Sequence, residues 1–399
     1  MLKKELLSDE EVYDSLNKCK KKLRILHIIT DHVFFNDLIG KFEADNRITN
    51  RAILPVDTID YMPTYLKVHD KYEKIDSYKK IKQILRSDSY DVAFFHTLSP
   101  GRYKYLLEIP QNKIVVWWSW GYDIYMGGDG LKPMIPLELY KPLTREMLDK
   151  NTPKIKKGLG DLIKGLVIKN IQNWRLHHAL RRVNYHIPVI STEYDILKKL
   201  HKEFTPMLFH YPISFFDKGI VLQKINNKIM IGNSATFTNN HADIISIINS
   251  KNISGMEFIM PLNYGDNGYA DLLSDTITLN NNKCRNITEF LPKEEYFDIL
   301  HNTPFFISGV IRQQSMGNIN SCLLNGVKVF LFKDSMVYKY LVDKGFVVFS
   351  IEEMTQNSFS SVLTLEESRH NHDLMMSIYD GYNELYNSGI EEMIKSLEI

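Results

Sequence analysis

Apolar residues in this chain gather in short, nearly continuous runs rather than in long stretches. The first half carries them at 23–30 (LRILHIIT), 90–97 (YDVAFFHT), 113–119 (KIVVWWS) and 185–191 (YHIPVIS). The second half repeats the habit at 228–234 (KIMIGNS), 257–261 (EFIMP), 304–310 (PFFISGV), 327–332 (VKVFLF) and 346–350 (FVVFS). Runs of this length, rich in β-branched and aromatic residues, predict strands covered on both faces. Between them lie amphipathic stretches such as EEYFDILHN, with the longer period of a helix. Alternation of this kind in both halves predicts two parallel-sheet α/β domains.

The boundary is expected at 212–228, where YPISFFDKGIVLQKINNK carries neither period. The domains drawn this way are residues 1–215 and 228–370, with 371–399 as a C-terminal helix that packs back on the first domain. Ligands of open α/β sheets lie beyond the carboxyl ends of the strands. The loops to read for chemistry are therefore those after Thr30, His96, Ser119, Ser234, Pro261 and Val310.

Composition adds three constraints. With 399 residues the chain is long enough for two domains. Its 49 Lys and Arg against 48 Asp and Glu give a net charge of +1, which excludes a protein that coats nucleic acid through global charge. Cys19, Cys284 and Cys322 form no CxxC pair, so neither a structural zinc site nor a disulfide framework is expected, and a reducing cytoplasm is the expected compartment. No secretion signal or run of about 18 apolar residues is found, and the chain is read as neither exported nor membrane-spanning.

The charge average conceals a patch. Residues 141–182 hold eleven Lys and Arg against three acids, a net +8 that leaves −7 over the rest of the chain. Leu162, Leu166, Ile171 and Trp174 recur beside those cations at helical spacing, as in a helix lying on an anionic bilayer, although a solvated basic face on an ordinary packed helix has the same pattern.

Two loops carry candidate chemistry. After the strand KIMI, Gly232, Asn233 and Ser234 offer small residues that let a phosphate approach backbone N–H groups, or simply make a strand-to-helix turn with a helix opening near Asn239 to His241. After PFFIS, the segment SGVIRQQSMGNINSCLLNG supplies the Arg312 guanidinium, the amides of Gln313 and Gln314, and a helix N-terminus containing Gly317 and Asn318. A fixed cation, amide donors and free helical N–H groups suit a pyrophosphate, although a surface arginine and two solvated glutamines on an irregular loop have the same pattern. In the first half, WWSWGYDIY (117–125) crowds three tryptophans ahead of Asp123. Asp123 is the candidate to bind a hydroxyl or act as a base, with His96 as its rival, while the tryptophans are read as core. No HExxH or Asp-x-Asp pair occurs, so no metal and no cofactor is expected.

In that order, FFH (94–96), WSWGYDIY (118–125), IGNSATFTNNH (231–241), MPLNYG (260–265) and RQQSMGNINSCLLNGVKVFL (312–331) resemble the TDP-N-acetylfucosamine:lipid II N-acetylfucosaminyltransferases, glycosyltransferase family 56. The chain departs from that pattern in a lysine-rich N-terminal stretch and in RQQSMGN, where the family's loop is richer in glycine. The resemblance implies a GT-B fold, two Rossmann-like domains facing across a cleft, with the acceptor on the first and the nucleotide sugar on the second. It implies transfer of a 4-acetamido-4,6-dideoxyhexose from TDP to a polyprenyl-pyrophosphate-linked oligosaccharide in surface polysaccharide or glycolipid assembly, at the inner face of the cell membrane. Gly232, Asn233, Ser234, Arg312, Gln313, Gln314, Gly317 and Asn318 are then expected to hold the donor pyrophosphate, with Tyr264 near the base or ribose. A GT-B transferase of another nucleotide sugar, a sugar-nucleotide epimerase and a non-catalytic sugar-nucleotide-binding subunit are the alternative readings.

Overall fold

The computed structural model describes residues 22–32, 34–126, 133–151, 159–198, 205–206, 219–220, 223–276 and 279–398. The N-terminal stretch with Cys19, most of the expected boundary at 212–228, and 152–158 of the basic patch lie outside the described residues.

The first sheet has seven parallel strands: β1 (Leu23–Ile28), β2 (Ile48–Pro55), β3 (Glu73–Ile75), β4 (Val92–His96), β5 (Ile114–Trp118), β6 (Tyr185–Ile187) and β7 (Thr205–Pro206), in spatial order β3-β2-β1-β4-β5-β6-β7. The second has six: β8 (Lys228–Ile231), β9 (Glu257–Pro261), β10 (Lys283–Ile287), β11 (Phe305–Ser308), β12 (Lys328–Leu331) and β13 (Phe349–Ser350), in order β10-β9-β8-β11-β12-β13. In each, the order reverses between the first and fourth strands, β1/β4 and β8/β11, which opens a crevice at their carboxyl ends.

Successive residues feed opposite layers, as the pleat requires. On one face of the first sheet Leu26, Ile28, Phe95, Val115 and Trp117 share a core, and on the other Ile25, Phe94, Val116 and Trp118 share another. The second sheet divides in the same way, with Ile229, Phe258, Ile307 and Phe330 against one layer and Met230, Ile259, Phe306 and Val329 against the other. Runs that are apolar at every position thus report strands with two covered faces. Strands β2, β3 and β10 escape that signal because they carry exposed polar residues: Thr49 and Arg51 interrupt β2, and β3 and β10 are edges with Glu73 and Lys283 in solvent.

Two segments cross between the domains. The helix Pro142–Asn151, from the first half of the sequence, docks on the second domain, where the Asp243 carboxylate accepts from the backbone N–H groups of Leu143 (3.0 Å) and Thr144 (2.9 Å). The 32-residue helix Leu365–Ser396 places Met375 in the second-domain core and Tyr386, Ile390 and Met393 in the first-domain core. Tyr386 Oη donates to Asp45 there at 3.0 Å.

Five buried histidines among the described residues, His27, His96, His186, His241 and His301, lie inside these layers. Asn50 Oδ1 accepts from His27 Nε2 (3.0 Å), so the facing His27 Nδ1 accepts from His96 Nε2 (3.0 Å), and both rings are neutral. Burial pushes His27 and His241 down to about 4 and His186 to about 3. Because the unfolded chain takes up protons near 6.5 and the folded one resists them, stability is complete above that pH and falls as pH drops from 6.5 toward 4. Each histidine costs up to about 1.4 kcal/mol per pH unit in that window. The thermal unfolding midpoint is expected to drop steeply between pH 7 and pH 5; a flat profile would show that these rings do not resist protonation.

Candidate active site

Between the domains the carboxyl ends of the two sheets enclose a cavity of about 790 Å³. That volume falls within the range of small-molecule sites.

The second-domain wall is polar. Gly232, at φ +68°, turns the chain out of β8, and a Cβ there would lie 2.6 Å from His241 Nε2, so the position needs glycine for both its backbone and its space. The turn delivers Asn233 and Ser234 to the cavity, while Gly232 itself does not line it. Asn239 fixes the loop: its Nδ2 donates to Ser234 O (3.0 Å) and Thr236 Oγ1 (2.9 Å). From β11 the chain runs through Arg312, Gln313 and Gln314 to Ser315, at φ +61°, which opens the helix Met316–Leu324. Met316 and Gly317, in the first turn, face the cavity and present free helical N–H groups with their partial positive charge. Asn318 points elsewhere, its amide donating to Tyr296 Oη.

Arg312 is the centre of this wall. Its residue exposure is 9%, its Nη1 donates only to the adjacent Gln313 O (2.7 Å), and it makes no ion pair among the described residues. Burial lowers its pKa, opposed by the fields of Glu193, Tyr125 and Asp123 from the first domain. Glu193 is itself buried, which lifts its carboxyl to about 8. Around Arg312, six buried polar atoms have no hydrogen-bond partner among the described residues: Arg312 Nε, Gln313 Nε2, Gln314 Oε1, Ser315 Oγ, Asn233 Oδ1 and Asn320 Oδ1. All six belong to residues lining the cavity. Leaving such a group unsatisfied costs about 1–3 kcal/mol, so this concentration marks a surface built to meet a polar ligand.

The first-domain wall is aromatic. The loop after β5 is held by Asp123, whose Oδ2 accepts from Leu98 N (2.9 Å) and Trp117 Nε1 (2.9 Å) and whose Oδ1 accepts from Trp120 N (3.0 Å). Burial raises its pKa and these three donors oppose the rise. Asp123 lines the cavity, but both oxygens are already engaged by N–H groups, which makes it a clamp between the β4 and β5 loops rather than an open carboxylate. His96 does not reach the cavity; it packs below the sheet end against His27, Phe35 and Trp118. The two walls touch at Gly121, at φ +76°, where a Cβ would stand 2.0 Å from Gln313 Nε2 and 3.1 Å from Arg312 Nη1.

Of the residues expected from sequence, Asn233, Ser234, Tyr264, Arg312, Gln313, Gln314, Gly317 and Asp123 line one cavity, and Gly232, Asn318 and His96 do not. Tyr264, 45% exposed, meets Tyr65 of the first domain edge to face at 5.7 Å. His32 and Tyr122 also line the cavity without any sequence signal for it, and of the three tryptophans expected in the core, Trp117 is wholly there whereas Trp118 and Trp120 also border the cavity. His32 lies two residues past Thr30, in a loop the strand pattern does flag; burial holds its ring down to about 4 against the field of Asp31, so it is neutral at pH 7. No three His, Cys, Asp or Glu side chains converge as a metal site among the described residues.

No protein-family model matches the chain, and no curated protein matches it. Solved structures share its architecture. Anabaena HepE in complex with UDP aligns at TM-score 0.59 and 12% identity over 94% of this chain and 100% of that one. The lipopolysaccharide outer core galactosyltransferase WaaB, in its apo form, aligns at 0.53 and 10% over 94% and 99%. A glycosyltransferase from Rickettsia africae aligns at 0.52 and 11% over 92% and 99%. The fold is therefore GT-B, two Rossmann-like domains facing across a cleft.

The clamp role of Asp123 is open to a direct test. Asp123→Asn turns one acceptor into an NH2 that faces N–H donors, and should lower folding stability by about 1–3 kcal/mol. An unchanged unfolding midpoint would show that the three bonds do not hold the loop.

Proposed function

We propose that the protein is a glycosyltransferase that moves a sugar from a nucleoside diphosphate, held by the second domain, to a hydroxyl held by the first. The observation that carries this reading is Arg312: a buried guanidinium with no ion pair among the described residues, ringed by unsatisfied amides and a helix N-terminus. A diphosphate supplies the missing negative charge and acceptor oxygens together. In the reaction the acceptor oxygen bonds to the anomeric carbon, the bond from that carbon to the phosphate oxygen breaks, and the electron pair leaves with the diphosphate. Arg312, Gln313 and the first-turn N–H groups would stabilise that developing charge.

The acceptor proton must also leave. Asp123 and His96 are poorly placed to take it, since the first has both oxygens engaged and the second lies outside the cavity. His32, which lines the cavity, is the group we assign to receive it.

The motif resemblance supports a TDP-linked 4-acetamido-4,6-dideoxyhexose donor and a polyprenyl-pyrophosphate-linked acceptor. A lipid-linked acceptor requires a membrane-facing surface, and the helix Leu159–Leu180 offers one. Leu166, Val167, Ile168, Ile171 and Trp174 are 45–59% exposed on it, beside Lys169 and Arg175. No helix among the described residues is long and apolar enough to cross a membrane, so attachment would be peripheral, at the inner face of the cell membrane.

With a nucleotide-sugar panel read by mass spectrometry, Arg312→Ala should reduce transfer at least tenfold while folding is retained; near-wild-type transfer by a folded variant removes the diphosphate role. Donor consumption without an acceptor would identify an epimerase or hydrolase instead, and tight nucleotide binding with no turnover a binding subunit. In flotation assays the protein should bind anionic liposomes at low salt and release at high salt, with Lys169→Glu and Arg175→Glu weakening it. Equal binding to neutral liposomes would exclude the electrostatic component.

A further inference from the structure

Resting on that reading, we propose that Glu193 is a positioning residue for the donor: ionised, its carboxylate competes with the diphosphate for the charge of Arg312, and protonated it gives that charge up, so that donor binding takes up a proton at Glu193. The residue belongs to the first domain and lies in the first turn of the helix Ser191–Leu197. Just before that helix, Pro188 and Val189 line the cavity and Ile190 packs into the second-domain core, which places Glu193 at the seam between the domains.

Capping explains only half of this carboxyl. Oε2 accepts from the backbone N–H groups of Val189 (3.2 Å) and Ile190 (3.5 Å), which fastens the start of the helix. Oε1 is buried and makes no well-formed hydrogen bond among the described residues; the Tyr125 hydroxyl beside it makes none either, and nor does Arg312 Nε. Glu193 itself is wholly buried. A buried acid with an idle oxygen and a buried guanidinium that feels its field without pairing with it form a costly arrangement, relieved when one of the two charges is removed. Arginine keeps its proton in proteins, so the carboxyl is the member that can be neutralised.

The other ionisable groups at the seam do not offer the same exchange. Tyr125 and Asp123 face Glu193 from the segment after β5, and Tyr140 joins them around Arg312. Burial pushes both phenols up, and Asp123 has its two oxygens committed to N–H donors. A diphosphate on Arg312 adds like charge near Glu193 and offsets the cation that favours its ionised form, and both effects raise the proton affinity of the carboxyl. Donor binding is therefore at full strength below about pH 8, where the free protein already holds the proton, and weakens as pH rises through that value.

Calorimetry of UDP and TDP binding at pH 8, in buffers of different ionisation enthalpy, counts the protons exchanged, and affinity is followed from pH 7 to pH 9 in wild type, Glu193→Gln and Arg312→Ala. Wild type should take up about half a proton per nucleotide at pH 8, and should lose about tenfold in affinity between pH 7 and pH 9 relative to Glu193→Gln. Glu193→Gln keeps an acceptor for the helix cap but cannot ionise, so it should take up essentially no proton and bind at pH 7 much as wild type does. A structural role alone would leave the pH profile of the two proteins the same. Absence of proton uptake in wild type overturns the proposal, and that measurement needs no variant to fold; so does an uptake that survives unchanged in Glu193→Gln. Arg312→Ala should lose nucleotide binding at every pH. If it binds as wild type does, the donor reading fails, whereas loss of binding in Arg312→Ala without proton uptake in wild type leaves that reading standing and removes only the role of Glu193.

Discussion

The cleft depends on one buried carboxylate and the three N–H groups it gathers. Asp123 ties Leu98 in the loop after β4 to Trp117 and Trp120 at the end of β5. Because these bonds are buried, each is stronger than its counterpart in water and each is costly to break. They fix the path of the chain at Gly121, where the first domain meets Gln313 and Arg312. Without that fixed path neither the aromatic wall nor its distance from the polar wall would be defined.

The two walls divide the chemical labour. The polar wall concentrates unsatisfied donors and acceptors around a buried cation, a state that costs stability in the free protein and is relieved by an anionic ligand. The aromatic wall, with His32, Trp120 and Tyr122, shows no such concentration of unsatisfied groups among the described residues. The proposed transfer, in which a sugar leaves a charged diphosphate for a neutral hydroxyl, calls for both kinds of surface within one cavity.

Much of the fold was legible because strands covered on two faces are apolar at nearly every position, and β4, β5, β8, β11 and β12 are of that kind, with polar residues only at their ends. Strands β3 and β10 were not, since an edge strand needs only one covered side and can carry Glu73 or Lys283 outward. At the site, Arg312 and its two glutamines were legible as candidates from residue type and the helix start that follows, and burial of the guanidinium separates them from a solvated surface loop. Asp123 was legible as important but not in its role: a carboxylate held by three N–H groups differs from an open one only in its partners, and while Trp117 and Trp120 lie in the same segment, Leu98 comes from 25 positions away. His32 and the stacking of Trp118 on Trp120 depend on how β1 and β5 end side by side around β4, which no local pattern encodes.

The helix Leu365–Ser396 has a mechanical meaning of its own. At 32 residues it spans about 48 Å as a continuous rod, anchored at one end through Met375 and at the other through Tyr386 and Met393. The helix Pro142–Asn151 crosses in the opposite sense and is fastened by Asp243. Two struts of opposite direction therefore cross-brace the domains: pulling them apart would strip Met375 from one core or Tyr386 and Met393 from the other, and would break the bonds that Asp243 makes to the shorter helix.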